Sequence, residues 1–562
     1  MKIFFLNPPF RDQHFSRSQR SPGVIKSGTM YYPYWLAHAA ALVEQEGHEI
    51  HLLDAPADGR TRDEVVAEIL RFEADLVVSE TSTPSHRYDL GTLEEIRRRC
   101  GDALPKLKLC MVGTHATSEW EKVLDGTPAV DFVAVGEYDH TVLELANALD
   151  ASRETESQRA EVQGLAQIAA LALRDENGQA IRGPARLPLE DMDSLPWIAP
   201  IYKRFLNVDH YCFTIATHPM VMLIGGRGCP AKCFYCVYPQ VMHGHKYRVR
   251  SPEHLVGEMK WIQENMPEVR EIVFEDDTFT GDRKWAREVA RLVKENGVRL
   301  PWFANIRTNT DHETLKALHE SGLRECATGF ESGDDLLLLN MRKGQNVEKQ
   351  LQFMESCRDL GILVHGCFMV GFPGETQETM EKTLDLAIRL DPDSAQFYPV
   401  MPYPGTGAYQ WAKDNGYLAT EDFEEWLTAE GGHRCVLNLP DLTPQDLESF
   451  CESAFRRFHF RPRYIARKLA QAVTNPREGI RSVSAGGNFI KYLFTNKRKT
   501  EEGFRSQRLE TAESWHTRTR VPHGRMERMD NVVKQAKKKG ASPMAEGELD
   551  QALVGAEAES QR

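Results

Sequence analysis

The sequence contains no apolar run approaching the ~20 residues that cross a bilayer; its longest apolar stretches are broken by charges or histidines. No transmembrane segment is therefore expected. A signal-peptide core is also missing. MKIFFLNPPF offers one lysine and four consecutive apolar residues before Asn7, which reads as a buried first strand. Positive charge is in short supply: the formal net charge is -13, and phosphate binding needs a concentrated basic surface. Nucleic acid is excluded as a main partner. No G-x-G-x-x-G follows the first apolar run, so a dinucleotide site has no support. A hydrolytic triad signature is lacking as well. The eleven cysteines are odd in number and form no paired framework. Cys100, Cys110, Cys326, Cys357 and Cys367 read as small buried side chains in a reducing cytoplasm.

What is present divides into two alternating series. The chain of 562 residues exceeds one hydrophobic core and calls for several domains. From residue 1 to about 150, short apolar runs at 2–7, 49–55, 74–80, 107–113 and 131–137 alternate with stretches of helical spacing such as YWLAHAAALVEQEG. That order predicts a doubly wound, Rossmann-like parallel α/β sheet, whose ligands bind beyond the carboxyl ends of the strands. Those ends are rich in small and hydroxyl residues: SETSTPS, GTHATS. Residues 151–210 read as a connector with a β-hairpin turned at Asn177-Gly178. A second series over 211–430 gives six strand–helix units and predicts an incomplete parallel (β/α)6 barrel, with its active site at the strands' C-terminal ends. Residues 431–495 read as a helical region. The polar remainder, 496–562, has few large apolar residues and is expected to be disordered.

One stretch stands apart. GGRGCPAKCFYC places Cys229, Cys233 and Cys236 directly after the first strand of the second series. Glycines at 225, 226 and 228 let the backbone bend sharply there. Three thiolates on a four-iron cluster leave one iron without a protein ligand, open to a substrate or cofactor. Structural zinc needs a fourth ligand, which His243 or His245 would have to supply, since no second close cysteine pair exists.

The C-x-x-x-C-x-x-C run after a first barrel strand resembles the radical S-adenosylmethionine (SAM) enzymes, and with the preceding sheet the chain resembles their B12-binding group. The resemblance implies a [4Fe–4S] cluster, SAM and cobalamin as cofactors. It also implies reductive cleavage of SAM to a 5′-deoxyadenosyl radical, with electrons from an external donor of flavodoxin or ferredoxin type. It further implies methyl transfer through methylcobalamin to an unactivated carbon of a small-molecule or lipid-like substrate. Cyclisation or rearrangement without methyl transfer, or a non-catalytic corrinoid or iron–sulfur sensor, are the alternatives. Carried over by position, Glu275, Asp276 and Asp277 match the place where the family binds the SAM amino group. Arg307 faces the SAM carboxylate in that reading, or else pairs with Glu275 or Asp276. Glu331 matches a ribose contact, Tyr235 belongs to the cysteine loop, and Gly371, Phe372 and Pro373 match a turn near adenine. The loop Asp12-Gln13-His14-Phe15-Ser16-Arg17 has the Asp and His of a D-x-H-x-x-G cobalt-binding loop but Arg in place of glycine; His14 is the candidate lower ligand. Ser82, Thr83, Thr114, His115 and Glu137 are candidate corrin contacts.

Overall fold

Strands form where the apolar runs predicted them. The structure, a computed structural model, describes residues 1–474 and 479, apart from 12, 26 and 152–162; the expectation for 496–562 lies outside the described residues. In the first series β1 (Lys2–Asn7), β2 (Glu49–Asp54), β3 (Leu76–Glu80), β4 (Lys108–Val112) and β5 (Phe132–Ala134) pair in parallel in the order 2-1-3-4-5. β1, β3 and β4 are buried on both faces, as a sheet covered by helices on two sides requires. The hairpin predicted at Asn177-Gly178 is β6 (Leu171–Arg174) and β7 (Ala180–Arg182). It is not a free-standing connector: β6 pairs antiparallel with β5, so the first sheet has seven strands and runs on to Arg182.

The second series opens with β8 (Met220–Leu223). A two-residue antiparallel ladder follows, β9 (Gly226–Arg227) with β10 (Arg248–Val249). The sequence reading ran the first barrel strand on through Gly228. Instead, the chain leaves the barrel after Leu223, and this short ladder closes the base of the loop that carries the cysteines. Gly228 sits at φ +88°, where a Cβ would lie 2.3 Å from the Lys246 carbonyl oxygen, so only glycine fits.

The remaining strands are β11 (Glu271–Phe274), β12 (Trp302–Asn305), β13 (Leu323–Glu331), β14 (Leu363–Val370) and β15 (Ser394–Pro399). With β8 they form a six-stranded, all-parallel sheet in the order 15-14-13-12-11-8, the incomplete barrel expected. Its intervening helices are capped in the usual way; Thr376, for example, closes a capping box on Gln377–Leu390. Two helices, Pro444–His459 and Pro462–Thr474, make up the C-terminal region. Phe458 is fully buried while Phe460 is exposed. No helix among the described residues is long and apolar enough to cross a membrane.

Candidate functional site

The cysteine loop is fastened from below by acids the sequence reading assigned elsewhere. Asp276 Oδ2 accepts from the Gly225 amide (2.9 Å) and Asp277 Oδ2 from the Gly228 amide (3.0 Å). Both carboxylates lie just past β11, so the neighbouring strand end braces the turn that delivers Cys229. Burial, with Asp277 alongside, pushes the Asp276 carboxyl up to about 7.

The three thiols lie close enough to feel one another. Burial raises Cys233 and Cys236; Cys229 and Glu331 add to the rise at Cys233, and Asp277, then Cys233 and Cys229, to that at Cys236. Cations oppose this. Arg307 Nη1 stands 3.8 Å from Cys229 Sγ, and Lys343 and Arg307 favour the Cys233 thiolate. Arg307 pairs with neither Glu275 nor Asp276 among the described residues; its other donor meets the Lys343 carbonyl at 2.7 Å. Glu331 has the unusual φ of +63°, at a register irregularity of β13, a strained geometry for a residue with a side chain. It accepts from the Tyr235 hydroxyl (3.1 Å) and pairs with Lys343. Phe372 is fully buried with its ring 5.3 Å from Tyr235. The Gly371 amide donates to Glu375 (3.0 Å), and the Pro373 carbonyl accepts from Asn340 (3.0 Å). The cysteine loop, Glu331 and the Gly371–Pro373 turn thus meet at one rim of the barrel.

At the edge of the first sheet, Ser82 and Thr83 are buried; Ser82 Oγ shares a hydrogen bond with Ser85 (2.8 Å), and Thr83 Oγ1 lies 3.3 Å from His115 Nδ1. Burial, then His86, keeps the His115 imidazole neutral, well below its ordinary value. Thr114 begins a short helix after Gly113 and is half-buried. A cavity of about 460 Å³ opens beside them, lined by Thr83, His86, Arg87 and Phe423. His14 is exposed. Glu137, a candidate corrin contact in the sequence, has its oxygens taken by groups of the barrel and the connector. Arg248 donates from both terminal nitrogens (2.9 Å for Nη1), the Leu189 amide donates at 3.1 Å, and His243 Nδ1 lies at 3.2 Å. Burial raises that carboxyl, but His243, Arg248 and Arg227 outweigh it and hold the group far below the carboxylate range. Next to it Arg227, two residues before Cys229, forks onto Asp139 at 2.6 and 3.1 Å. These buried pairs tie the cysteine loop to the first sheet.

The residues present fit the implied groups. His243 faces Glu137, and His245 Nδ1 faces the Cys229 and Ala231 carbonyls (3.2 and 3.0 Å). Among the described residues no three His, Cys, Asp or Glu converge as on a single metal ion. For SAM, Glu331 Oε2 is a buried acceptor without a hydrogen-bond partner, and Asp277 Oδ1 makes no hydrogen bond and has the Arg20 guanidinium at 3.6 Å; an ammonium or hydroxyl would satisfy either oxygen. For cobalamin, the strand ends carry hydroxyl groups, Thr83 beside the cavity, at the place where such sheets bind ligands.

A parallel half-barrel with three thiols at its rim is joined to a doubly wound sheet with a hydroxyl edge. Family comparison gives its class. Residues 223–387 match the Radical SAM superfamily and residues 20–146 match the B12 binding domain. An uncharacterised methyltransferase of Pyrococcus horikoshii is 29% identical over 84% of this chain and 95% of its own length. The anaerobic magnesium-protoporphyrin IX monomethyl ester cyclase of Rubrivivax gelatinosus is 25% identical over 76% of this chain and 72% of its own. Among solved structures, the radical SAM methyltransferase TsrM from Kitasatospora setae, with cobalamin and a [4Fe–4S] cluster bound, superposes with a TM-score of 0.61 at 17% identity, covering 82% of this chain and 89% of that one. The chain belongs to the B12-binding radical SAM enzymes, whose cofactors are a [4Fe–4S] cluster, SAM and cobalamin.

Sequence reasoning missed Arg20, which reaches the acids after β11, and Lys343, which neutralises Glu331. An arginine in a proline- and serine-rich loop carries no periodic signal. Its partner Glu275 is 255 positions away.

Proposed function

We propose that the protein is a methyltransferase of this family, acting on an unactivated carbon of a small-molecule or lipid-like substrate. The observation that carries the proposal is the fastening of the cysteine loop to the strand-end side of the first sheet through Arg227–Asp139 and Arg248–Glu137, which supports a reading with the two cofactor sites side by side. The Pyrococcus methyltransferase, aligned over nearly its whole length, supports the type of transfer. When bound, the cluster and SAM supply a 5′-deoxyadenosyl radical and cobalamin carries the methyl group.

The chain's own residues bind and orient. Cys229, Cys233 and Cys236 hold the cluster, with Arg307 and Lys343 favouring the thiolates. Asp277, beside Glu275 and Asp276, takes the SAM ammonium, and Arg307 is placed to pair with a carboxylate. Glu331, locked by Lys343 and Tyr235, offers its second oxygen to a ribose hydroxyl, and the Gly371–Pro373 turn borders the adenine. Ser82, Thr83, Thr114 and His115 contact the corrin; a neutral buried His115 donates or accepts without adding charge. His14 remains the candidate lower ligand, one that its exposed loop would have to carry inward. The reaction draws electrons from an external flavodoxin- or ferredoxin-type donor, and the eleven free cysteines suit work in a reducing cytoplasm.

An anaerobic assay of reconstituted protein with substrate is expected to yield S-adenosylhomocysteine and 5′-deoxyadenosine together. Deoxyadenosine without S-adenosylhomocysteine would instead support cyclisation or rearrangement, the reading favoured by the Rubrivivax cyclase relative. Neither product under dithionite would leave the sensor.

A further inference from the structure

Between β1 and the helix Tyr34–Gln45 the chain runs as a strap across the face where the two sheets meet. On the side of the first sheet, Arg17 is fully buried, pairs with Asp89, and donates to Asn7 Oδ1 and the Pro8 carbonyl (both 2.7 Å). Ser18 Oγ is within 3.0 and 2.9 Å of the two Glu80 oxygens. Two residues on, the strap crosses to the barrel. Arg20 Nη1 pairs with Glu275 Oε1, while Nη2 donates to the Asp276 carbonyl (2.6 Å) and lies 3.6 Å from Asp277 Oδ1. Ser21 Oγ then reaches Tyr403 and His433 at 3.2 and 3.1 Å.

The acids leave room for one cation. Their side chains are only 3% and 4% exposed. Glu275 Oε2 is taken by Asn305 Nδ2 at 3.1 Å, and Asp277 Oδ2 by the Gly228 amide. The remaining oxygens, Glu275 Oε1 and Asp277 Oδ1, both face the guanidinium. Buried carboxylates need a positive partner, and a second cation brought to the same two oxygens meets like charge. Arg20 has somewhere to go, being 30% exposed.

We propose that Arg20 is a positioning residue that competes with the SAM ammonium for Glu275 and Asp277, so that SAM binding releases the strap's Arg20 tie to the barrel and loosens the strap there. This rests on reading the acidic end of β11 as the SAM amino site. Because Arg17 and Ser18 hold the same strap to Asp89 and Glu80, occupancy at the barrel is felt at the edge of the first sheet.

Protein carrying its cluster and cobalamin is titrated with SAM anaerobically by calorimetry. Arg20→Ala is expected to tighten SAM binding at least about fivefold, and Arg20→Lys to return it toward the wild-type value. A loss of mere structural support would not tighten binding. In the wild type, SAM is expected to raise backbone hydrogen exchange over residues 16–24. Unchanged or weaker SAM binding in Arg20→Ala overturns the proposal, as does a strap whose exchange ignores SAM. Glu275→Gln and Asp277→Asn tell its failure from that of the underlying reading. If both bind SAM like the wild type, the acids are not the SAM site and the reading falls too. If they bind SAM weakly while Arg20→Ala does not tighten it, only the competition is wrong.

Discussion

Glu80 ends β3 with almost no exposure, accepting from Ser18 beneath the strap. Burial pushes its carboxyl up to about 7 against the Ser18 bond and the Arg17 charge, with Asp54 and Asp89 adding to the rise. Folded Glu80 therefore keeps its proton to near neutrality, while an unfolded glutamate loses it near its ordinary value. The folded state binds more protons in between, so this group's contribution is complete below the unfolded value and is lost as pH rises through about 7. Full titration amounts to on the order of 3 kcal/mol. Melting temperature is expected to fall between about pH 5 and pH 8, and Glu80→Gln to flatten that fall. An equally steep decline in the variant would show that other groups set it. Single residues were legible in the sequence where chemistry demands a fixed spacing, as in Cys229, Cys233 and Cys236. They were illegible where the partner is distant in sequence, as with Arg20 and Glu275.

Among the elements, the β9–β10 ladder matters beyond its two residues per strand. It closes the cysteine loop and carries Arg227 and Arg248 into the first domain, where Asp139 and Glu137 meet them. Arg227 is 1% exposed and also lies 4.9 Å from the Trp35 ring. Removing one partner of such a buried pair leaves the other charged and unsatisfied, at a cost of about 3–5 kcal/mol. Arg227→Ala is expected to lower stability in chemical denaturation by that amount and to reduce iron retained per chain after reconstitution; a wild-type midpoint with full iron would contradict the loop-fastening role. The strands were legible from their apolar runs, and the β6–β7 hairpin from Asn177-Gly178. That the hairpin extends the first sheet was not legible. An edge pairing with β5 depends on backbone groups that every sequence shares.

At the scale of the whole molecule, two alternating series give two sheets, and each presents its strand ends to a ligand, as sheet topology requires. The sequence placed the cysteines at such an end and suggested hydroxyls at the other. How the two ends are joined lay beyond it, because the joint is made of ion pairs and a strap with no hydrophobic period. Asp276 and Asp277 illustrate the point: their acidity was visible, but their bonds to the Gly225 and Gly228 amides were not. The central claim is that three thiols hold a four-iron cluster with one corner open to SAM. Electron paramagnetic resonance of dithionite-reduced, anaerobically reconstituted protein tests it directly. The wild type is expected to give a reduced four-iron signal that changes when SAM is added, and Cys233→Ala to lose it; a signal indifferent to SAM, or undiminished in Cys233→Ala, would contradict the account.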